Sequence, residues 1–155
     1  MAQSQSTAAT AAPSVSLRDL MTQPTDSFER PKALPEGHYL GTILGFEFGK
    51  SRNKGTDFIR VAMRIDGLGD DIDEVDVKGI DLSRRELRRD FFITPNSMYR
   101  LGDFLDAVLG KQPGKNADER LPDIKGTSVL MQVTQRPAEN DPETVYNDVN
   151  TIVAA

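Results

Sequence analysis

The chain has 155 residues, of which 37% are apolar, 28% charged and 6% aromatic, enough for one hydrophobic core with some uncommitted chain beside it and too little for two. Cysteine is absent and His38 is the sole histidine, which excludes disulfide stapling, thiolate catalysis, Cys-ligated zinc and His-rich metal clusters, and makes a reducing cytosol the expected compartment. Lys and Arg number 19 against 24 Asp and Glu, a formal net charge of -5, so only the distribution of charge can argue for nucleic-acid binding.

Beyond Met1, residues 1–12 are Ala, Ser, Thr and Gln with no charge, too poor in apolar surface to offset ordering entropy, and are expected to be disordered. Up to Pro35 the chain is proline-rich with one short amphipathic candidate, 16–21, capped by Ser16. Residues 1–31 thus read as a leader, a tether or a docking peptide, and 32–155 as the folded domain. No apolar run approaches the roughly 20 residues needed to cross a bilayer, and no cationic-then-apolar segment opens the chain, so a soluble, unexported protein is expected.

Leu34-Pro35-Glu36-Gly37 is a turn signal ahead of a β-rich first strand, 38–48, in which Gly41 and Gly45 offer sites for a bend or bulge. A polar turn, 50–55, leads to the clearest strand, 57–65. Its residues alternate strictly, Ile59, Val61, Met63 and Ile65 on one face and Phe58, Arg60, Ala62 and Arg64 on the other. After an acidic stretch, 66–76, a third extended segment runs from 82 to 93. Thr94 as N-cap and Pro95 at the first helical position then open a helix with Met98, Leu101, Leu105 and Val108 on its core stripe, Asp106 off it, and Gly110 as a left-handed stop. A further turn at 121–124, a fourth strand over 126–135, a turn at 140–142 and a last strand over 144–153 complete the chain. Three strands, a helix and two strands give a mainly β fold, a five-stranded OB-like barrel with one α-helix between strands 3 and 4.

Two motifs dissolve on inspection. Gly45 to Ser51 ends in Lys-Ser like a phosphate loop, but only three residues separate its glycines and a strand follows instead of a helix. The acids Asp66, Asp70, Asp71, Asp73, Glu74 and Asp76 lack the alternation, central glycine and distal Glu of an EF-hand, so they read as a solvated loop. His38 receives no role, and neither a metal nor a cofactor is expected.

The basic residues are more informative. Lys50, Arg52, Lys54, Arg60 and Arg64 have only Asp57 among them, and Arg84, Arg85, Arg88 and Arg89 cluster in the next strand, so nine of the 19 basic residues fall in two short segments. In an OB barrel the second and third strands and the first turn commonly face single-stranded nucleic acid. Lys50, Arg52, Lys54, Arg60, Arg64 and Arg88 would then neutralise phosphates, and Phe58 and Phe92 would stack bases. The bland alternative is a solvated charged face with Phe58 in a secondary core.

Leu34-Pro35-Glu36-Gly37-His38-Tyr39, Lys50-Ser51 followed by Lys54-Gly55 and the strand to Ile65, Asp90-Phe91-Phe92 before the helix, and Tyr146-Asn147-Asp148-Val149 resemble in order and spacing a family of phage-encoded single-stranded-DNA-binding proteins, over residues 32–153. The resemblance implies an OB-like fold without catalytic activity, a part in phage DNA replication or recombination in the host cytoplasm, and phage replication or recombination proteins as partners, with self-association left open. Two departures stand out. The sequence closes on Thr151-Ile152-Val153-Ala154-Ala155 where many such proteins carry an acidic tail that recruits enzymes, and it has no Trp and only three Tyr for stacking, leaving Phe58, Phe92 and the neighbouring Phe46 and Phe48. The rival readings are a non-catalytic protein-interaction or virion accessory β-barrel whose Arg strand meets an acidic protein, and, third, an enzyme built on a carboxylate metal site within 66–76.

Overall fold

The computed structural model describes residues 16–27, 32–141 and 143–155, and the chain divides into two compact units, Met1–Pro31 and Lys32–Ala155. The expected disorder of residues 1–12 lies outside the described residues, as does Pro142 of the turn at 140–142. In the first unit, α1 (Leu17–Met21) is a single turn whose Ser16 hydroxyl accepts from the Asp19 amide at 3.1 Å. None of its residues is buried.

The second unit is built on five strands: β1 (Gly37–Lys50), β2 (Asp57–Leu68), β3 (Glu86–Phe92), β4 (Ser128–Pro137) and β5 (Val145–Ala154). All pairings are antiparallel, in the order β3-β2-β1-β4-β5. β1 is central: residues 37–42 pair with β4, while nearly its whole length pairs with β2. Its register shifts between Leu40 and Gly41 and between Ile43 and Gly45, at the two glycines where the sequence suggested a bend. Gly41 is required by space, since a Cβ there would lie 2.3 Å from the Arg64 carbonyl oxygen and 2.4 Å from the Met131 Cε. Among the described residues no helix is long and apolar enough to cross a membrane.

Barrel closure is the main point at which the sequence reading exceeds the structure. The hydrogen-bonded sheet is open, with β3 and β5 as its two edges and no ladder between them. The gap is spanned instead by the Arg89 guanidinium, which donates from β3 to the carbonyls of Val149 at 2.6 Å and Asn150 at 2.5 Å on β5. The helix α2 (Met98–Leu109) packs against both edge strands. Its Leu101, Phe104, Leu105 and Val108 are buried, and Phe104 meets Phe91 at 4.8 Å between ring centroids. A second, shorter helix, α3 (Ala117–Arg120), runs into the 3-10 turn Leu121–Ile124, so more than one helix lies between β3 and β4.

The ends of these elements also differ from the sequence reading. Residues 82–84 form a 3-10 turn, so the third strand is shorter than expected. Thr94 does not cap α2: the N-cap is Ser97, without a side-chain cap, because its hydroxyl turns back to the Phe92 carbonyl at 2.7 Å. Met98 falls outside the buried stripe in consequence. Gly110 does hold a positive φ, 83°, but with an extended ψ of 165°, so it stops the helix without being left-handed helical.

The first and last motifs meet in space. The Asn147 side chain receives the Leu34 amide at 2.9 Å and donates to the Leu34 carbonyl at 3.0 Å, and the Gln135 side chain donates to that carbonyl at 2.9 Å. Leu34 is fully buried by this clamp. Tyr39 is buried beside it, its hydroxyl donating to the Pro35 carbonyl at 2.7 Å. Burial, with the Asp71 charge adding to it, pushes the phenol up to about 12. Because the folded value exceeds the unfolded one, Tyr39 contributes stability that is complete below about pH 10 and lost as pH rises toward 12. Urea midpoints measured across that window should fall in the natural protein, and Tyr39→Phe should flatten the fall while lowering stability at neutral pH.

Helix α2 also carries a group that its periodicity hides. Arg120 is only 6% exposed, and its guanidinium donates to Asp106 at 2.9 Å, to Gln112 at 3.0 Å and to the Gly110 carbonyl at 2.7 Å. Asp106, off the apolar stripe and expendable by pattern alone, is therefore the counter-charge of a buried arginine. Leu105→Ala should cost about 2 to 5 kcal/mol through lost burial and a residual cavity. Asp106→Ala should cost on the order of 1 to 3 kcal/mol by stranding that charge, and the exposed Asp103→Ala should stay within about 0.5 kcal/mol by chemical denaturation.

Candidate nucleic-acid interface

The strict alternation of β2 gives its two faces different chemistry. Ile59, Val61, Met63 and Ile65 are buried, and Phe58, Arg60, Ala62 and Arg64 project from the opposite, outer face. Antiparallel register sets Phe58 opposite Gly49 of β1 and Phe92 of β3, Arg60 opposite Glu47 and Asp90, and Arg64 opposite Thr42 and Glu86. Phe58 thus lies on the outer face, its ring over Gly49, where a Cβ would come within 2.6 Å of the Phe58 Cζ. The Phe92 ring meets it edge-on, centroids 6.0 Å apart and planes at 75°. Phe58 is half-buried while Phe92 is 44% exposed, so Phe92 presents the more accessible ring. The Arg60 guanidinium stands 5.1 Å from the Phe58 centroid.

The outer face is less positive than a count of its cations suggests. Arg60 forms a two-pronged bond to Asp90, at 2.8 and 3.0 Å. That hydrogen bond, more than its charge, raises the guanidinium above its ordinary value. Arg64 donates to Asp66 at 2.8 Å, and the Thr42 hydroxyl donates to the same carboxylate at 2.5 Å. Thr42 first and Arg64 second hold Asp66 below the usual carboxylate range. Arg88 contacts Glu86 at 3.5 Å and Lys50 contacts Asp57 at 3.3 Å. Arg52 and Lys54 differ: both are exposed in the β1–β2 turn, and neither has an ion-pair partner among the described residues. Phe46 and Phe48 form an edge-on pair at 5.8 Å on the other face of β1, where Phe46 packs on the core and Phe48 is 65% exposed.

The structure gives a place to Arg89, which the sequence reading counted among its cations without a role, and to Arg100, which it left out. Arg89 projects to the core side of β3, with its guanidinium 5.1 Å from the Phe91 centroid and both carbonyl contacts on β5. Burial, with the nearby Arg100 charge adding to it, lowers the Arg89 guanidinium below its ordinary value. Arg100, in the first turn of α2, donates to the Tyr99 hydroxyl at 3.1 Å. Arg88, Arg89, Arg100 and Phe92 line one cleft of about 650 Å³ at the β3–β5 opening. The Tyr99-Arg100 pair at the start of α2 was the available signal, masked by the helical stripe around it. The acids of the 66–76 stretch stay exposed while its Ile72 joins the core, and Asp71 ties it to β1, accepting from the His38 amide at 2.9 Å and contacting its Nδ1 at 2.8 Å. Hydrogen bonding from His38 lowers the Asp71 carboxyl. No group of three or more acidic or histidine side chains converges as a metal site among the described residues.

Comparison with known proteins finds no family model that matches this chain and no curated protein that matches it. Gly49→Ala should push the Phe58 ring off its seat and destabilise the fold by about 1 to 3 kcal/mol. Loss of ring-current shifts on the Phe58 and Phe92 protons would report the displacement, and unchanged shifts would show that the ring does not depend on Gly49.

Proposed function

We propose that this chain is a non-catalytic single-stranded-DNA-binding protein of phage type, acting in DNA replication or recombination in the host cytoplasm, on a partly open OB-like barrel. The observation that carries the reading is the Phe58–Phe92 pair, seated on Gly49, open to solvent at Phe92 and edged by guanidinium groups. An aromatic platform of this kind accepts any base, because every base has a π-face, and the cations around it meet the backbone. The sheet order β3-β2-β1-β4-β5, the helices between β3 and β4, and the Arg89 bridge from β3 to β5 support the barrel.

In this mechanism a base stacks on Phe92 while Arg52 and Lys54 in the β1–β2 turn attract phosphates. Arg64 begins paired with Asp66 at an exposed surface, where such a pair is worth about 0 to 1 kcal/mol and yields readily to a phosphate, while Arg60 must first be drawn from its part-buried, two-pronged bond to Asp90. The acidic loop at 70–76 repels the backbone and confines the strand to the other end of the face.

Fluorescence anisotropy with a labelled oligothymidylate tests the proposal. Binding should weaken with salt, log affinity falling by roughly 0.7 per phosphate contact. Phe92→Ala should cost about 1 to 3 kcal/mol of affinity and leave the salt slope unchanged. Asp90→Asn should tighten binding, since it frees Arg60 and removes a negative charge. A folded natural protein that fails to bind at low salt would sink the proposal.

A second reading, a protein-interaction module, draws on a different feature. Leu40, Leu130 and Val153 stand in one cross-strand row, and Leu40, Leu130, Leu68 and Ala154 line a cleft of about 640 Å³ that His38, Asp70 and Asp71 edge. Failure to bind DNA together with saturable binding to an apolar peptide, lost on Leu130→Asp, would favour it.

A further inference from the structure

We infer that the cleft at the β3–β5 opening, formed by Arg88, Arg89 and Arg100 beside Phe92, binds a phosphodiester of single-stranded DNA and brings the strand to the barrel seam. The inference rests on the proposed DNA-binding reading and changes which cations carry the backbone.

The carboxylates and cations of this cleft are unequally committed. Its two acids, Asp90 and Asp148, already hold two-pronged bonds, Asp90 from Arg60 and Asp148 from Arg136 at 2.8 and 3.4 Å. Arg89 and Arg100 form no ion pair among the described residues. Arg89 spends one terminal nitrogen on two β5 carbonyls, and Arg100 spends its Nε on the Tyr99 hydroxyl. A guanidinium carries five donors in a flat fork, so most of the donors of both remain for a ligand.

Bringing two guanidiniums into one partly desolvated cleft without an anion raises the energy of the free protein, and a bound anion removes that cost. Phosphate suits the fork geometry, and a cleft of about 650 Å³ has room for it. Phe92 lines the same cleft, so a base stacked there sets its own phosphate beside Arg88 and Arg100. Arg60, which also lines the cleft, and Arg64 offer less, because each is held by a carboxylate at 2.8 Å, whereas Arg88 meets Glu86 only at 3.5 Å.

Arg100→Gln is the informative variant, since Arg100 is exposed and, unlike Arg89, bridges no strands. With oligothymidylate it should weaken binding several-fold and make the salt slope shallower by roughly 0.7. Arg88→Gln should behave alike. Arginine Nε–H resonances followed during the same titration should move for Arg89 and Arg100. If the natural protein binds while both variants keep its affinity and slope, the cleft lies off the strand's path and the inference fails alone. If the natural protein does not bind, the functional reading fails and takes this site with it. If polyglutamate moves those resonances and oligothymidylate does not, the cleft is a seat for acidic protein, which also overturns the inference.

Discussion

The second unit depends on one strand serving two partners. β1 must hydrogen-bond to β4 along its first half and to β2 along nearly all its length. A regular strand cannot curve enough to do so, and the register shifts at Gly41 and Gly45 supply the bend. At Gly41 the Arg64 carbonyl and the Met131 side chain occupy the space of a side chain, so the curvature requires glycine at this point. Beyond Ile43 the strand leaves β4, and β1, β2 and β3 continue as a three-stranded arm. The arm's outer face is where the aromatic pair and its cations assemble.

A consequence of the bend is a sheet that curls without closing. β3 and β5 come near enough for one long side chain to link them, and no backbone ladder forms. An arginine can do this because its flat guanidinium lies over the Phe91 ring while its donors reach carbonyls. A main-chain ladder would have consumed those polar groups and buried the guanidinium. The opening instead leaves a cationic cleft in contact with solvent, bounded by α2, which covers the core beneath it.

Strand alternation and the stripe of α2 were legible because burial enforces period two on a sheet and near 3.6 on a helix. Cross-strand partners were not. Arg60 and Asp90 are 30 positions apart, and only the register of β2 against β3 makes them a pair. A count of cations along the chain therefore overstated the charge of the outer face. Asp106 was misread for the same reason, since its partner Arg120 approaches from another element. Thr94 has the chemistry of a cap, but Ser97 is committed to the Phe92 carbonyl and the helix starts later. Arg89 has no sequence signature as a bridge, because its acceptors are carbonyls, which every residue possesses.

The first and last motifs behind the family resemblance do different work from the surface that would bind DNA, to which the middle motifs contribute Lys50, Lys54, the outer face of β2 and Phe92. Leu34 and Asn147 bond reciprocally, Gln135 joins them, and Tyr39 is locked against Pro35. These contacts tie the entry of β1 to β4 and β5, and they lie within the core or against it. Residues of this kind specify how the sheet is assembled, and a chain could share them while carrying a different surface. The Phe58–Phe92 platform and the seam arginines have the opposite character: most are half-buried or exposed, and only Arg89 is needed to bridge the edges. Their side chains are free to serve a ligand because the core does not require them. Function in this protein is thus separable from fold, and a substitution such as Arg100→Gln can test the one without undoing the other.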